Sequence, residues 1–179
     1  QGMRNLLKDP TLLRTQAYIN GAWVDSDSGE TFPVRNPATQ EVIADVASVG
    51  AAETRRAIEA AEVAQKPWAA LSAMERAVVL RKWNDLILEN VEDLAIIMTQ
   101  EQGKVLAESR GEIVYAASFI EWFAEEGKRV YGDVIPLPQS GNRGIAIKQP
   151  VGVVAAVTPW NFPSAMLTRK CGPALAVGC

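Results

Sequence analysis

The stretch VGVVAAVTPWNFPSAML, residues 151–167, decides the fold prediction, because it combines an apolar run, a short loop and the start of a helix. The apolar run at 151–157 does not alternate, which is typical of a parallel strand covered on both faces. Pro163 is a favourable residue for a first helical turn. A strand, a loop and a helix in this order are the first half of a βαβ unit, whose strand end and helix start form the usual nucleotide crevice.

The sequence after this helix contains no second strand before Cys179. A lone parallel strand with its crossover helix leaves backbone ladder groups and apolar faces uncovered. We therefore expect the chain to be part of a longer protein, or a shortened form that covers this surface by association.

The loop after the apolar run carries the candidate cofactor contacts. No G-x-G-x-x-G sequence occurs there, which excludes a phosphate-cradling loop of that type. A dinucleotide could still lie across the strand end, against backbone groups and an aromatic ledge at Thr158, Pro159 and Trp160. Spacing alone gives only weak support for this contact.

The helix that follows offers a second set of candidate contacts. If it begins near Phe162, then Met166 and Arg169 follow at i+4 and i+7 and share a face. An arginine in line with two apolar side chains either extends over them at the surface or directs its guanidinium at a carboxylate in a pocket. The spacing favours the surface role and leaves the carboxylate role open.

The residues upstream predict a β-rich lead-in followed by helices. Turn signals such as Asn20-Gly21, between AYI and AWV, separate short strand-like runs in the first fifty residues. Helical periodicity starts at Ala51, and Pro67 is predicted to end the first helix. Ser72 and Glu75 form a capping-box pair before the second helix. Gly103 is predicted to close the third.

The longest predicted helix is LAESRGEIVYAASFIEWFAEEGKRV, and a hairpin is predicted after it. One face of the helix is apolar, with Ile113, Ala117, Ile120 and Ala124. Its carboxylates are interpreted as a solvated, ion-paired face rather than an acid/base pair. These carboxylates are Glu112, Glu121, Glu125 and Glu126. Prolines and a Ser-Gly-Asn turn at 131–149 indicate a hairpin that leaves the core or borders a sheet.

Composition excludes several classes of function. A net charge of -3 over 179 residues, without a basic block, gives no sign of binding nucleic acid or an anionic membrane. The absence of histidine excludes His-assisted nucleophiles and His-ligated metals, and the spacing of Cys171 and Cys179 matches no zinc site. We predict no metal, reduced cysteines and a cytoplasmic location, since no bilayer-spanning run or secretory signal is present. Gln1 and Gly2, which precede Met3, are left out of the fold predictions.

TPWNFP followed by TRKCGPALAVGC closely resembles the aldehyde dehydrogenase superfamily. EQGKVLAESRGEIVYAASFIEWFAEEGKRVYGD resembles its succinate-semialdehyde dehydrogenase branch. The resemblance covers nearly the whole chain and only the N-terminal part of such an enzyme. It implies an α/β fold: the N-terminal part of a doubly wound, helix-rich NAD(P)-binding domain at 3–130, a protruding oligomerisation hairpin at 131–149, and the first strand, loop and helix of the Rossmann-like unit at 150–179.

The resemblance also implies roles for residues of the opening stretch. Asn161 matches the asparagine whose side chain stabilises the oxyanion formed when a cysteine thiolate attacks the aldehyde. Thr158, Pro159 and Trp160 match positions along the cofactor, and Phe162 and Met166 match the aldehyde tunnel. Arg169 matches the arginine that pairs with the substrate's distal carboxylate, which reverses the preference given by spacing.

The family's nucleophilic cysteine, glutamate base and cofactor-binding lysine match positions beyond Cys179, and neither Cys171 nor Cys179 matches the nucleophile. The complete enzyme is therefore expected to oxidise succinate semialdehyde to succinate with NAD or NADP, with a slight preference for NADP, as a homo-oligomer (dimer or tetramer). The 179-residue chain alone is expected to be inactive. The alternatives are a non-catalytic cofactor-surface module, an assembly module, and an aldehyde dehydrogenase for another small aldehyde.

Overall fold

The computed structural model describes residues 2–179, which form five helices and three strand pairs. The strands are β1 (Ala17–Ile19), β2 (Ala22–Val24), β3 (Thr31–Arg35), β4 (Val42–Ala47), β5 (Asp133–Pro136) and β6 (Arg143–Ala146). The helices are α1 (Ala51–Ala70), α2 (Ala73–Glu89), α3 (Val91–Gln102), α4 (Leu106–Glu126) and α5 (Ala165–Ala176). No helix in this part of the chain has both the length and the apolar character needed to cross a membrane.

The first fifty residues contain two antiparallel hairpins, of which the one at Asn20-Gly21 was predicted. β1 pairs with β2, and Asn20 and Gly21 between them adopt φ values of 50° and 77°. Two successive positive φ values are the mark of the tight hairpin turn that an Asn-Gly pair favours. β3 pairs with β4 with a register shift after Val34. The predicted β-rich start of the chain is confirmed.

Local capping signals are also confirmed at the helix ends. The Ser72 hydroxyl accepts from the Glu75 amide at 3.2 Å, and the Glu75 carboxylate accepts from the Ser72 amide at 2.7 Å. Gly103 ends α3 with a left-handed φ of 83°. These contacts satisfy backbone groups that a helix end leaves without partners.

Pro67 does not end α1, contrary to the prediction. The helix continues through it to Ala70. A proline removes one intrahelical hydrogen bond and crowds the carbonyl four residues earlier, so other contacts must stabilise the turn that follows it. The next residue, Trp68, donates its indole N–H to the carbonyl of Leu175 in α5 at 2.9 Å. This contact with α5 stabilises the last turn of α1.

The main core lies where α2, α4 and α5 meet. Ala77 and Leu80 of α2 pack there with Ile120 and Ala124 of α4 and with Ala176 of α5. Small residues allow a close approach: a Cβ at Gly127 would lie only 2.9 Å from the carbonyl oxygen of Ala176. Close packing of this kind fixes α5 against the long helix.

Arg76 of α2 is a buried cation at the C-terminal end of α5. Its Nε donates to the Ala176 carbonyl at 3.1 Å. Its Nη1 donates to the carbonyls of Ala69 and Leu71, at the end of α1. A cation near the C-terminus of a helix is stabilised by the helix dipole. The Arg76 side chain therefore links the C-terminal ends of α1 and α5 to α2.

The predicted buried strand at 151–157 is not formed. These residues form no strand pairing, the chain bends at Gly152, and Val151 and Val157 are 90% and 86% exposed. The reason is physical: a strand needs a neighbour, and among residues 2–179 no segment pairs with this one. The hairpin predicted at 131–149 is present as the antiparallel pair β5–β6, with Gly141 of its turn at a φ of 83°.

Candidate active site at the start of helix α5

The turn that contains Asn161 links the unpaired segment at 151–157 to α5. The first helical hydrogen bond of α5 joins the Met166 amide to the Phe162 carbonyl at 3.0 Å. Asn161 therefore lies just before the first turn, on an exposed surface. Among residues 2–179, no hydrogen bond engages its side-chain amide, so both N–H groups can donate to a ligand.

Lys104 holds the backbone of this turn. Its ammonium group donates to the Asn161 carbonyl at 3.0 Å and lies 4.0 Å from the centre of the Phe162 ring. The first contact is a hydrogen bond from a charged donor, and the second is a cation–π contact. Lys104 follows directly after Gly103, which brings the chain out of α3 and toward the turn.

Glu112 corrects the interpretation of the α4 carboxylates as one solvated face. It is 4% exposed, and its Oε1 accepts from the backbone amides of Ser164 and Ala165 at 3.1 and 3.2 Å. Its Oε2 accepts from the Lys104 ammonium at 2.5 Å. Three donors compensate the buried charge, and the N-terminal amides of a helix favour an anion.

The other carboxylates of α4 lie at the surface as predicted. Glu125 pairs with Arg81 at 2.8 Å and with Lys128 at 3.1 Å, and Glu126 pairs with Arg129 at 3.4 Å. The hydrogen bonds from Arg81 and Lys128 lower the pKa of Glu125 below its ordinary value. Glu121 is exposed.

Arg169 lies against aromatic side chains of α4. Its Nη2 donates to the hydroxyl of Tyr115 at 3.3 Å. Its guanidinium carbon is 4.9 Å from the ring centre of Phe119 and 5.7 Å from that of Tyr115. Its Nε is buried and has no hydrogen-bond partner among residues 2–179. No carboxylate of the described chain forms an ion pair with Arg169, so the guanidinium keeps capacity for an anion.

An open cleft of about 400 Å³ lies between α4 and the Asn161 turn, and neither Asn161 nor Arg169 is among its lining residues. Its lining includes Lys104, Glu112 and Phe162 from the Asn161 side and Tyr115, the contact of Arg169. Phe162 therefore lines the cleft, while Asn161 and Arg169 each contact one lining residue, Lys104 and Tyr115 respectively. Met166, half-buried one turn after Phe162, is not part of this lining.

Thr158, Pro159 and Trp160 lie outside this cleft and are exposed, with Trp160 at 78%. Within residues 2–179, no hydrogen bond engages their backbone groups, which leaves these groups available to a ligand. A second cavity of about 440 Å³ does not include them. Its lining is mostly apolar, with Trp68 of α1, Val153 and Leu175 among the residues.

Both cysteines line this second cavity, and we expect Cys171 to react slowly with thiol reagents. Burial raises the pKa of its thiol, although nearby Lys170 acts in the opposite direction. A raised pKa lowers the thiolate fraction near pH 8, and the thiolate is the nucleophile. Mass spectrometry of iodoacetamide labelling should show Cys171 modified more slowly than a free cysteine peptide. Modification at an equal rate would contradict this expectation.

In the described part of the chain, no group of three His, Cys, Asp or Glu side chains is placed to hold a metal ion.

Comparisons with known proteins agree with the resemblance found in the sequence. A family model described as "Aldehyde dehydrogenase family" matches residues 23–179. The chain is 65% identical to a glutarate-semialdehyde dehydrogenase of Pseudomonas aeruginosa over 97% of its length. It is 60% identical, over the same share, to an NADP(+) succinate-semialdehyde dehydrogenase of Escherichia coli.

The fold agrees with a solved structure, the crystal structure of an Escherichia coli NADP-dependent enzyme. The TM-score is 0.95 at 60% identity, over 97% of this chain and 36% of that one. The chain also spans 36% of the length of each of the two curated relatives. It has the helix-rich α/β fold of the N-terminal part of these enzymes. The chain belongs to the aldehyde dehydrogenase family.

Proposed function

We propose that this chain supplies the oxyanion donor and the substrate's anion site to an NAD(P)-dependent aldehyde dehydrogenase. Its substrate is a small aldehyde with a distal carboxylate, and succinate semialdehyde is the leading candidate. The observation that carries the proposal is that Lys104, which contacts Asn161, and Tyr115, which contacts Arg169, line the same cleft.

Asn161 suits the stabilisation of an oxyanion. When a thiolate attacks an aldehyde, negative charge develops on the carbonyl oxygen. A neutral amide donates to that oxygen at every working pH because it does not titrate. The exposed position of Asn161 before α5 leaves its amide accessible to the reacting carbonyl.

Arg169 suits the far end of such a substrate. It lies in the second turn of α5, and its guanidinium contacts Tyr115, which lines the same cleft as Phe162. Both relatives are named for semialdehydes of dicarboxylic acids, which carry an aldehyde at one end and a carboxylate at the other. Phe162 and Met166 would form the apolar path between the two ends.

Thr158, Pro159 and Trp160 fit a nicotinamide cofactor, because their backbone groups are unengaged and the indole is exposed. The cofactor would accept the hydride from the substrate. The Escherichia coli relative is named for NADP(+), which supports a preference for NADP.

The hairpin of β5 and β6 has exposed apolar residues, including Val134 and Ile145, which suits a homo-oligomer contact. We also propose that the enzyme is located in the cytoplasm.

A chimera tests the proposal: residues 3–179 are joined to the remaining part of the Pseudomonas aeruginosa relative. We expect it to oxidise succinate semialdehyde. Changing Arg169 to alanine should lower kcat/KM for that substrate about 10- to 100-fold, since one charge-assisted contact contributes about 1.5–3 kcal/mol. Steady-state kinetics with butanal, an uncharged aldehyde of similar length, provides the comparison.

Butanal turnover should change less than about threefold in the Arg169→Ala chimera, because this substrate has no carboxylate to bind. Arg169→Lys should recover part of the loss, as a cation without the bidentate geometry. Equal losses for both aldehydes would contradict the carboxylate role of Arg169. The 179-residue chain alone should show no turnover, and measurable dehydrogenase activity would overturn that expectation.

Association is a second candidate function, favoured by the exposed apolar residues at 151–157. A segment that is apolar and unpaired is a template for strand addition by another chain. Light scattering of the 179-residue chain should then give a mass that rises with concentration. A monomer mass at high concentration would exclude this function, and titration with NAD and NADP would test cofactor binding separately.

A further inference from the structure

We propose that Lys104 and Glu112 are positioning residues for Asn161. Together they fix the turn at 161–165, and thereby the direction in which the Asn161 amide points. This inference rests on the proposed oxyanion role of Asn161. Neither residue needs to contact substrate for this role, because both act through the backbone of the turn.

Lys104 fixes the first half of the turn. Its side chain is 10% exposed, so little of its charge is left to solvent. It holds the Asn161 carbonyl at 3.0 Å and the face of the Phe162 ring at 4.0 Å. The Asn161 carbonyl lies in the planar peptide unit that joins these two residues. Lys104 contacts both this peptide unit and the Phe162 ring. These contacts restrict the backbone rotation that would change the direction of the Asn161 side chain.

Glu112 fixes the second half. Its side chain is 1% exposed, and one carboxylate oxygen accepts from both Ser164 and Ala165 at 3.1 and 3.2 Å. These amides belong to the start of α5 and have no partner within the helix. Because Glu112 belongs to α4, its carboxylate stabilises the start of α5 only when those amides lie beside it, which fixes the start of α5 against α4.

The ion pair joins the two halves. Because Lys104 and Glu112 contact each other at 2.5 Å, the carbonyl of Asn161 and the amides of Ser164 and Ala165 are attached to one rigid unit. Among residues 2–179, no hydrogen bond holds the Asn161 amide itself. Its orientation therefore depends on the backbone, and a misplacement of about 1 Å at a reacting group can cost about 100-fold in rate.

NMR relaxation of the 179-residue chain tests this inference without any turnover. We expect a backbone order parameter near about 0.85 for Asn161 and Phe162 in the unchanged chain, the value of a rigid backbone. In Lys104→Met it should fall below about 0.6, the range of a flexible segment. A value below about 0.6 in the unchanged chain would by itself overturn the inference.

Matched controls separate positioning from general stability. Lys128→Met removes an exposed lysine that pairs with Glu125, and Glu121→Gln changes an exposed carboxylate on the same helix as Glu112. Both should leave the order parameters of the turn unchanged. Lys104→Arg should restore rigidity, because it keeps a cationic donor. Unchanged order parameters in Lys104→Met, with the core amides of α4 also unchanged, would overturn the inference.

The chimera adds a kinetic measurement. There, Lys104→Met should lower kcat about 10- to 100-fold with KM for butanal within about threefold, because the oxyanion donor is misdirected while the aldehyde still binds. If Lys128→Met changed kcat and KM as much as Lys104→Met does, a specific positioning role of Lys104 would be contradicted. If the unchanged chimera has no activity, the proposed function fails, and the relaxation data still decide whether Lys104 holds the turn.

Discussion

Changing Asn161 to alanine is expected to lower kcat of the chimera by about 100- to 1,000-fold, the usual effect of removing one oxyanion donor. The loss should fall on kcat and leave KM nearly unchanged, because the amide interacts with charge that develops only in the transition state. Steady-state kinetics with succinate semialdehyde and butanal should show the same loss for both, since both form the same oxyanion.

Two further variants test whether the loss is specific to the Asn161 amide. Asn142→Ala changes an exposed asparagine in the turn of the β5–β6 hairpin and should leave kcat unchanged. Asn161→Asp should lower kcat at least as much as alanine, because a carboxylate repels the developing negative charge. A loss of less than about fivefold in Asn161→Ala would show that other donors stabilise the oxyanion.

Changing Arg76 to methionine is expected to lower the free energy of unfolding by about 3 kcal/mol. Methionine keeps the apolar contacts of the side chain but removes the donor that three buried or half-buried carbonyls share. Loss of hydrogen bonds from a charged donor costs about 1.5–3 kcal/mol, and acceptors left without partners add to the cost. Urea unfolding followed by circular dichroism measures the change in free energy, and thermal unfolding should show a fall in Tm of about 6–12 °C.

Arg81→Met is the matched control for Arg76. Arg81 lies on the same helix and makes an exposed ion pair with Glu125, and such pairs contribute less than about 1 kcal/mol. Its unfolding midpoint should stay close to that of the unchanged chain. If Arg76→Met also changed stability by less than about 1 kcal/mol, the three carbonyls would have to find other donors, and the assigned role of Arg76 would be wrong.

The features that the sequence predicted correctly depend on neighbouring residues. The Asn20-Gly21 turn, the Ser72 capping box and the end of α3 at Gly103 each involve residues within four positions of one another. Backbone conformation and capping chemistry are local properties, so a local pattern is enough to predict them. The fold class followed from the longer resemblance and is confirmed by the matched structures.

The features that the sequence did not predict depend on residues far apart in the chain. Glu112 accepts from Ser164 and Ala165, more than fifty positions away, so its burial could not be read from α4 alone. A signal was nevertheless present: Ala116 and Ile120 follow Glu112 at i+4 and i+8 and are fully buried. A carboxylate in line with the buried face of a helix indicates a specific partner.

The two other errors have the same origin. The continuation of α1 through Pro67 depends on the contact of Trp68 with Leu175. The apolar run at 151–157 has the composition of a covered strand, but residues 2–179 provide no strand beside it. The apolar composition of a segment indicates that it suits a buried strand. The strand forms only when a second segment lies beside it to pair with. The arrangement of Arg169 against Tyr115 and Phe119 was missed because those rings belong to α4.

Helix α5 is held at its two ends by oppositely charged residues of other helices, and both make their contacts with its backbone. Glu112 accepts from the amides of Ser164 and Ala165, and Arg76 donates to the carbonyl of Ala176. Backbone groups are the same in every amino acid, so these contacts survive when side chains between the ends change. The half-buried positions Met166 and Arg169 can therefore change while both ends of the helix keep the same backbone contacts. Such an arrangement would let related proteins diverge in what they recognise at positions 166 and 169 without rebuilding the fold that presents them.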